Sequence, residues 1–445
     1  MPLLSDVTAP PPLRSSGDTL GRLSAMMFLQ YWPLGAWGVT VGTFIAANTG
    51  DQGEGIFSAG FVGYSTVAGA VGGMLAPVLI GYVSDRHLSA ERLLALMHLG
   101  CAASVWGLRE TRGQIPFFLC LLAYFHCFVP SATLTNKIAL RHLANVEREY
   151  PLIRVFGTAG WITAGLFVGF AWPAATGASI EATRTPLAVG AIANLIMAAY
   201  ALSLPHTPPE DAAATSRSQD RNRPIDLLRN RPLTVFLGVA FLACMPSMAY
   251  NNYANLFLNN RGFPRPAALM TLGQVSDVLC LIAAPWFTSR FGLRKLFFAG
   301  TLAWTIRYLL LAGGSYYGAA WPVYAAILIH GPCYVFVYVV AVMYIDRLAD
   351  PAYRGSAQGL LALASTGFGH LLGGLSAGYA QTLFLTPRGV SPPPYQWWAF
   401  WLVPGAISLA AAILFLGALA PAADPRSNRS VEADAPRSKI PESAR

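Results

Sequence analysis

A small set of residues in this 445-residue chain could do chemistry in apolar surroundings, and their spacing groups them. Arg154, Thr158 and Trp161 lie within "LIRVFGTAGWITAGLFVGFAW" (152–172) at i, i+4 and i+7, so a helix would put them on one face. Gln274 and Asp277 stand at i, i+3, Asn251 and Asn255 at i, i+4, and His330, Tyr334 and Tyr338 at i, i+4, i+8. Guanidinium, hydroxyl and amide groups supply hydrogen bonds, and aromatic rings supply flat apolar faces. Together they supply the stacking and hydrogen bonding that a small-molecule pocket needs. Asp277 is the one carboxylate well inside an apolar run, where such a group can take up and release a proton. An arginine facing lipid would be expensive, so the Arg154 face must look into protein or water. No GxxxxGK[ST] or HExxH is present, and the single GxSxG match, "GLSAG" (374–378), lies inside an apolar run of helical length rather than between a strand and a helix. Neither ATP hydrolysis nor common hydrolase chemistry is therefore signalled. The six cysteines all sit in apolar runs without a CxxC pair, which argues against a disulfide framework or a zinc site.

The elements that must hold these groups follow from composition. The chain is 54% hydrophobic and 11% charged, against about a quarter charged in soluble domains. That balance indicates an all-α polytopic membrane protein, and the net charge of +9 then says little about nucleic acid, which is not expected as a partner. Runs of about 20 apolar residues predict twelve spans, near 23–47, 56–81, 93–108, 115–136, 152–173, 185–204, 234–258, 267–289, 296–313, 319–345, 356–384 and 397–421. A polar, proline-rich stretch divides them six and six. The expected organisation is a tail over 1–19, a six-helix bundle over 20–204, a central loop over 205–233, a second bundle over 234–421 and a disordered, Arg-rich tail over 422–445 that touches at most anionic lipid. Two similar halves match the repeat plan of many secondary transporters. With both termini in the cytoplasm, 22 of the 30 Lys and Arg residues fall on cytoplasmic segments and six on outside loops, so that orientation in a cell (inner) membrane is expected.

The loop "GYVSDRHLSAERLL" (81–94) resembles the signature of the major facilitator superfamily, and the resemblance gives Gly81, Asp85 and Arg86 a conformational gating role. "SRFGLRK" (289–295) occupies the equivalent place in the second half but lacks the aspartate. A narrower resemblance covers most of the chain. "FLQYWPLGAWGVTVGTF" (28–44), "IRVFGTAGW" (153–161), "QVSDVLCLIAAPWFTSRFG" (274–292) and "RGSAQGLLALASTGFGHLLGG" (354–374) are similar to stretches of the bacterial nucleoside:proton symporter family. That resemblance implies a major facilitator fold, a nucleoside substrate, coupling to protons and no organic cofactor or metal. It places Arg154 and Thr158 in the substrate cavity, Trp161 beside the nucleobase, and Asn251, Gln274, Asp277 and Tyr334 on the opposite wall. Asp277 would carry the coupling proton.

The chain also departs from the family pattern. Met248 stands where a binding glutamine is expected, Val335 where an acidic residue follows the tenth-helix aromatic, and His330 where the family has an aromatic residue. His330, with Tyr334 and Tyr338, is therefore a candidate to replace the missing carboxylate in proton coupling. Gln30 and Trp37, i, i+7 on the first span, fit either packing or the cavity, and Gln30 is counted with the substrate-binding set. Arg154 could instead pair with "EREY" (147–150), and Asp277 with Arg307, as structural ties. His98, His126 and His370 read as packing histidines. The expected function is proton-coupled nucleoside uptake by alternating access. A sugar, oligosaccharide or other small-molecule symporter of the same fold, and a transport-inactive sensor or scaffold, remain as alternatives.

Overall fold

Apolar runs that cannot leave backbone groups unpaired in lipid have to form helices, and they do. The structure, a computed structural model, describes residues 16–74, 88–209, 224–350, 353–385 and 395–418. Helix α1 runs Gly17–Trp37 and resumes as Val41–Ala47, and α2 begins as Phe61–Tyr64. Then come α3 (Ala90–Glu110), α4 (Gln114–His142), α5 (Val146–Leu166, prolonged by a π turn at Phe167–Ala171 and by Trp172–Thr176) and α6 (Thr185–Ala201). In the second half α7 is Arg231–Cys244 and Pro246–Asn260. The run Pro266–Tyr317 contains both α8 and α9, divided where Gly292 takes φ 75°. The set closes with α10 (Trp321–Leu328, then His330–Leu348), α11 (Arg354–Phe384) and α12, Trp397–Ala418.

Among the described residues, twelve helical segments thus form two sets of six. Seven of the described helices are long and apolar enough by themselves to cross a bilayer, the joined α8–α9 run among them. The break expected between spans at 267–289 and 296–313 falls at Gly292, where a single residue with positive φ turns the chain and the flanks stay helical. The stretch read as a loop over 205–233 contains a helical turn at Pro224–Arg229, and α7 starts at Arg231. Gly81, Asp85 and Arg86 lie outside the described residues.

Large apolar side chains on the outer faces, such as Ile115, Ile282 and Trp321, stay exposed as lipid-facing groups should, while polar groups turn inward. In the first half the Gln30 amide donates to Ser131 Oγ (2.7 Å), and the His98 ring lies between Gln30 Oε1 and Asn194 Oδ1, 2.9 Å from each. This network ties α1, α3, α4 and α6 together in the core. Outside the spans, Arg184 grips both Glu54 oxygens (2.9 and 3.1 Å) and Arg112 also bonds that carboxylate. The hydrogen bond from Arg184 first, then that from Arg112, holds the Glu54 carboxyl below the ordinary carboxylate range.

The halves close on each other at the end of the bundle that carries the α5–α6 loop. Gly63 of α2 packs directly on Gly378 of α11, and a Cβ on Gly63 would overlap the Gly378 backbone nitrogen. Small residues allow this approach, as they do wherever membrane helices meet closely. Polar ties reinforce it. Thr43 of α1 donates to Asn255 Oδ1 of α7 (2.5 Å), and Arg265 lies 4.4 Å from the Phe170 ring centre. The buried Glu181 carboxylate of the first half accepts three N–H groups of the second: Asn255 Nδ2 (2.7 Å), Asn259 Nδ2 (3.1 Å) and the Ala267 backbone (3.1 Å).

Candidate functional site

Between the halves lies a cavity of about 420 Å³, within the range of about 300–1,000 Å³ typical of small-molecule sites. From the first half Arg154, Thr158 and Trp161 line it together, as their i, i+4, i+7 spacing on α5 requires. The Arg154 guanidinium lies 4.8 Å from the Tyr31 ring centre. Gly157 makes this possible, since a Cβ there would come 2.8 Å from both Arg154 Nη1 and the Tyr31 ring. A cation resting on an aromatic face is held in place while its N–H groups stay available to a ligand.

From the second half come Asn251, Gln274, Asp277, His330 and Tyr334. Tyr334 donates to Asn251 Oδ1 (2.5 Å), leaving the Asn251 amide nitrogen free to donate. The rings of His330, Tyr334 and Tyr338 stack nearly parallel, with centroids 4.3 and 5.4 Å apart and tilts of 15° and 17°. Their i, i+4, i+8 spacing alone would drift around an α-helix. A π turn at Val335–Val339 begins beside Tyr334, and such turns recur at functional sites. The Tyr338 hydroxyl meets Ser247 Oγ at 2.8 Å and His370 Nε2 at 3.0 Å, which satisfies His370 as a packing residue.

Asp277 is half-buried on the cavity wall and makes no hydrogen bond or ion pair among the described residues. The alternative pairing with Arg307 is not formed. Arg307 is completely buried on α9, its Nη2 lies 2.9 Å from His330 Nδ1, and its guanidinium carbon lies 3.4 Å from the Tyr250 ring centre. Seven of the eight sequence-derived binding residues therefore meet in one cavity, together with His330. Gln30 does not join them, because both ends of its amide are committed to Ser131 and His98. Val335 and Met248 are buried apolar residues, so the departures from the family pattern remove polar groups without exposing replacements. Sequence reasoning passed over Tyr31, Tyr250 and Thr271, which also line the cavity. Tyr31 is one residue from Gln30 on the same helix, and a cavity-facing choice between them needed the direction in which α1 packs.

Two six-helix halves around an aromatic, hydrogen-bonding cavity with one free carboxylate define a secondary transporter of the major facilitator type. The family model described as "Nucleoside H+ symporter" matches residues 18–423, and the chain belongs to that family. It is 34% identical over 404 residues to the "Putative nucleoside transporter YegT" of Escherichia coli K12, covering 89% of this chain and 93% of that one. It is 27% identical over 414 residues to the "Xanthosine permease" of the same organism, covering 88% and 94%. The crystal structure of the nucleoside transporter NupG superposes with a TM-score of 0.79 at 23% identity, covering 91% of this chain and 100% of that one, which shows the shared fold.

Proposed function

We propose that this chain carries nucleosides into the cell together with protons, by alternating access around the central cavity. The observation that carries the reading is the convergence in that cavity of Trp161 and Arg154 from one half with Asn251, Gln274 and an unpaired Asp277 from the other. The aromatic face suits a nucleobase and the amides suit ribose hydroxyls and base edges. Asp277 supplies a group whose charge can change during the cycle. A transport-inactive scaffold would have little reason to keep an unpaired carboxylate at this depth.

Uptake of labelled uridine into proteoliposomes under an imposed proton gradient tests the proposal. Nucleosides should compete and sugars should not. Trp161→Ala should weaken nucleoside binding by roughly 1–3 kcal/mol, the range for base–aromatic stacking. Sugars competing better than nucleosides would overturn the substrate, and unchanged affinity in Trp161→Ala would move Trp161 to packing.

The orientation we propose puts both termini and residues 205–232 in the cytoplasm, on the strength of the 22-to-6 division of basic residues between the two sides. The end closed by Glu181 is then the outer end. Single cysteines placed at 215–220 should resist a membrane-impermeant thiol reagent on intact cells and react after permeabilisation. Labelling on intact cells would invert the topology.

A further inference from the structure

We propose that Arg307 and His330 form a donor relay that locks the Gln274 amide with its NH2 group toward the cavity, so that this wall selects substrates by a hydrogen-bond acceptor. The inference rests on the nucleoside reading above and extends it to specificity.

The argument is one of donor balance. A guanidinium only donates hydrogen bonds, and it stays protonated in proteins. Arg307 Nη2 lies 2.9 Å from His330 Nδ1, so Nδ1 accepts. An imidazolium has no acceptor nitrogen, so the ring in this contact is neutral and carries its single proton on Nε2. Nε2 lies 3.4 Å from the Gln274 amide atom placed as its nitrogen, the long end of hydrogen bonding. Two donors cannot face each other, and the two ends of an amide are assigned from their partners, so the oxygen of Gln274 belongs on the His330 side. Gln274 makes no other side-chain hydrogen bond among the described residues and lines the cavity, which leaves its two N–H groups for a ligand.

The relay is held rigidly. His330 is buried, stacks on Tyr334, and packs against Gly273, where a Cβ would come 3.1 Å from the His330 Cβ. The Gly331 N–H donates to Ser276 Oγ (3.2 Å), fixing α10 against α8 at this level. Arg307 lies over Tyr250 and 5.1 Å from the Trp304 ring centre. Arg307 is thus a positioning residue, remote from the ligand and acting through His330. The relay also revises the role expected for His330 from the sequence: it works as a fixed donor, and proton exchange in the cavity is left to Asp277. The ligand group that fits is a carbonyl oxygen, a ring nitrogen or a ribose oxygen.

Competition binding with nucleoside analogues that lack one acceptor at a time, on the base or on the ribose, tests the relay. In the wild type at least one analogue should bind roughly 5- to 100-fold more weakly than its parent, as expected for a donor left unpaired. His330→Phe keeps the stacked ring but has no nitrogen, and that ratio should collapse to within about threefold, the remainder expected for a solvated, freely rotating amide. Arg307→Met should collapse it too, with Arg307→Lys restoring part of it because a donor is restored. Nitrogen-15 spectra of histidine-labelled wild type should show His330 protonated at Nε2, a readout that does not depend on the folding of any variant. Full discrimination retained in His330→Phe, or a proton on Nδ1 in the wild type, overturns the proposal. A wild type that binds nucleosides but ranks all the analogues alike overturns the relay alone. A wild type that binds no nucleoside overturns the substrate reading first.

Discussion

Asp277→Asn should abolish accumulation of nucleoside against its gradient while leaving binding and counterflow exchange in place. The amide has nearly the same shape and still hydrogen-bonds, but it cannot titrate. Coupling needs a group whose protonation favours one facing state over the other; without that difference the proton gradient has nothing to bias. For each coupled proton, a gradient of one pH unit supports about tenfold accumulation, since a tenfold ratio corresponds to about 1.4 kcal/mol. In the variant the internal concentration should therefore only equal the external one, whatever gradient is imposed. Folding should survive, because no cation among the described residues depends on Asp277 for its pairing. If Val335 stands where the resembled family has a second carboxylate, as the sequence suggests, its burial leaves one proton per cycle as the expected coupling in the wild type. Proteoliposomes loaded at different internal pH values provide the measurement. Continued accumulation by Asp277→Asn would move coupling to another group, with His330 the first to examine, and would contradict the donor role assigned to that ring.

Much of this site was legible because membrane helices impose simple geometry. Once lipid forces helices, residues at i, i+4, i+7 must share a face, and a face with an arginine must turn inward, which groups Arg154, Thr158 and Trp161. That this face lines a cavity needed the family resemblance and the packing of α5. The same reasoning places Gln274 and Asp277 together. Gln30 shows where it stops. Period and polarity bring a glutamine inside the bundle, but whether it meets a ligand or a histidine depends on which neighbour α1 faces, and here that neighbour is His98. Arg307 was a second ambiguous case. Its burial was legible and its partner was not, since sequence favours a carboxylate for a buried cation and the structure supplies a histidine and two aromatic rings. The break at Gly292 was legible, since a basic, glycine-containing stretch between two apolar runs marks the end of one span and the start of the next. Its brevity was not, because one residue with positive φ is enough to turn the chain while the flanks stay helical.

Glu181 was missed altogether, because a carboxylate in a short loop between spans ordinarily faces water. Here it is 1% exposed and joins the two halves, and its replacement should have a large effect on the transport cycle. Its Oε2 accepts from Asn255 and Asn259 and its Oε1 from the Ala267 backbone. Glu181→Gln keeps the shape but turns one acceptor into a donor, which must then face an N–H group. The asparagines cannot rotate to accommodate it cheaply, because Asn255 Oδ1 already accepts from Thr43 and from Asn259 Nδ2. Hydrogen bonds to a charged group contribute about 1.5–3 kcal/mol, so the balance between closed and open outer ends should shift roughly 10- to 150-fold toward open. Spin labels at Ser179 and Arg261, one on each half in a cysteine-depleted background, would report this as a longer distance in Glu181→Gln. Apparent affinity for external nucleoside should improve, because a larger fraction of the protein is ready to bind from outside, while turnover falls because closing has become harder. An unchanged distance distribution with normal turnover would show that the glycine contacts of α2 and α11 hold the outer end shut without Glu181.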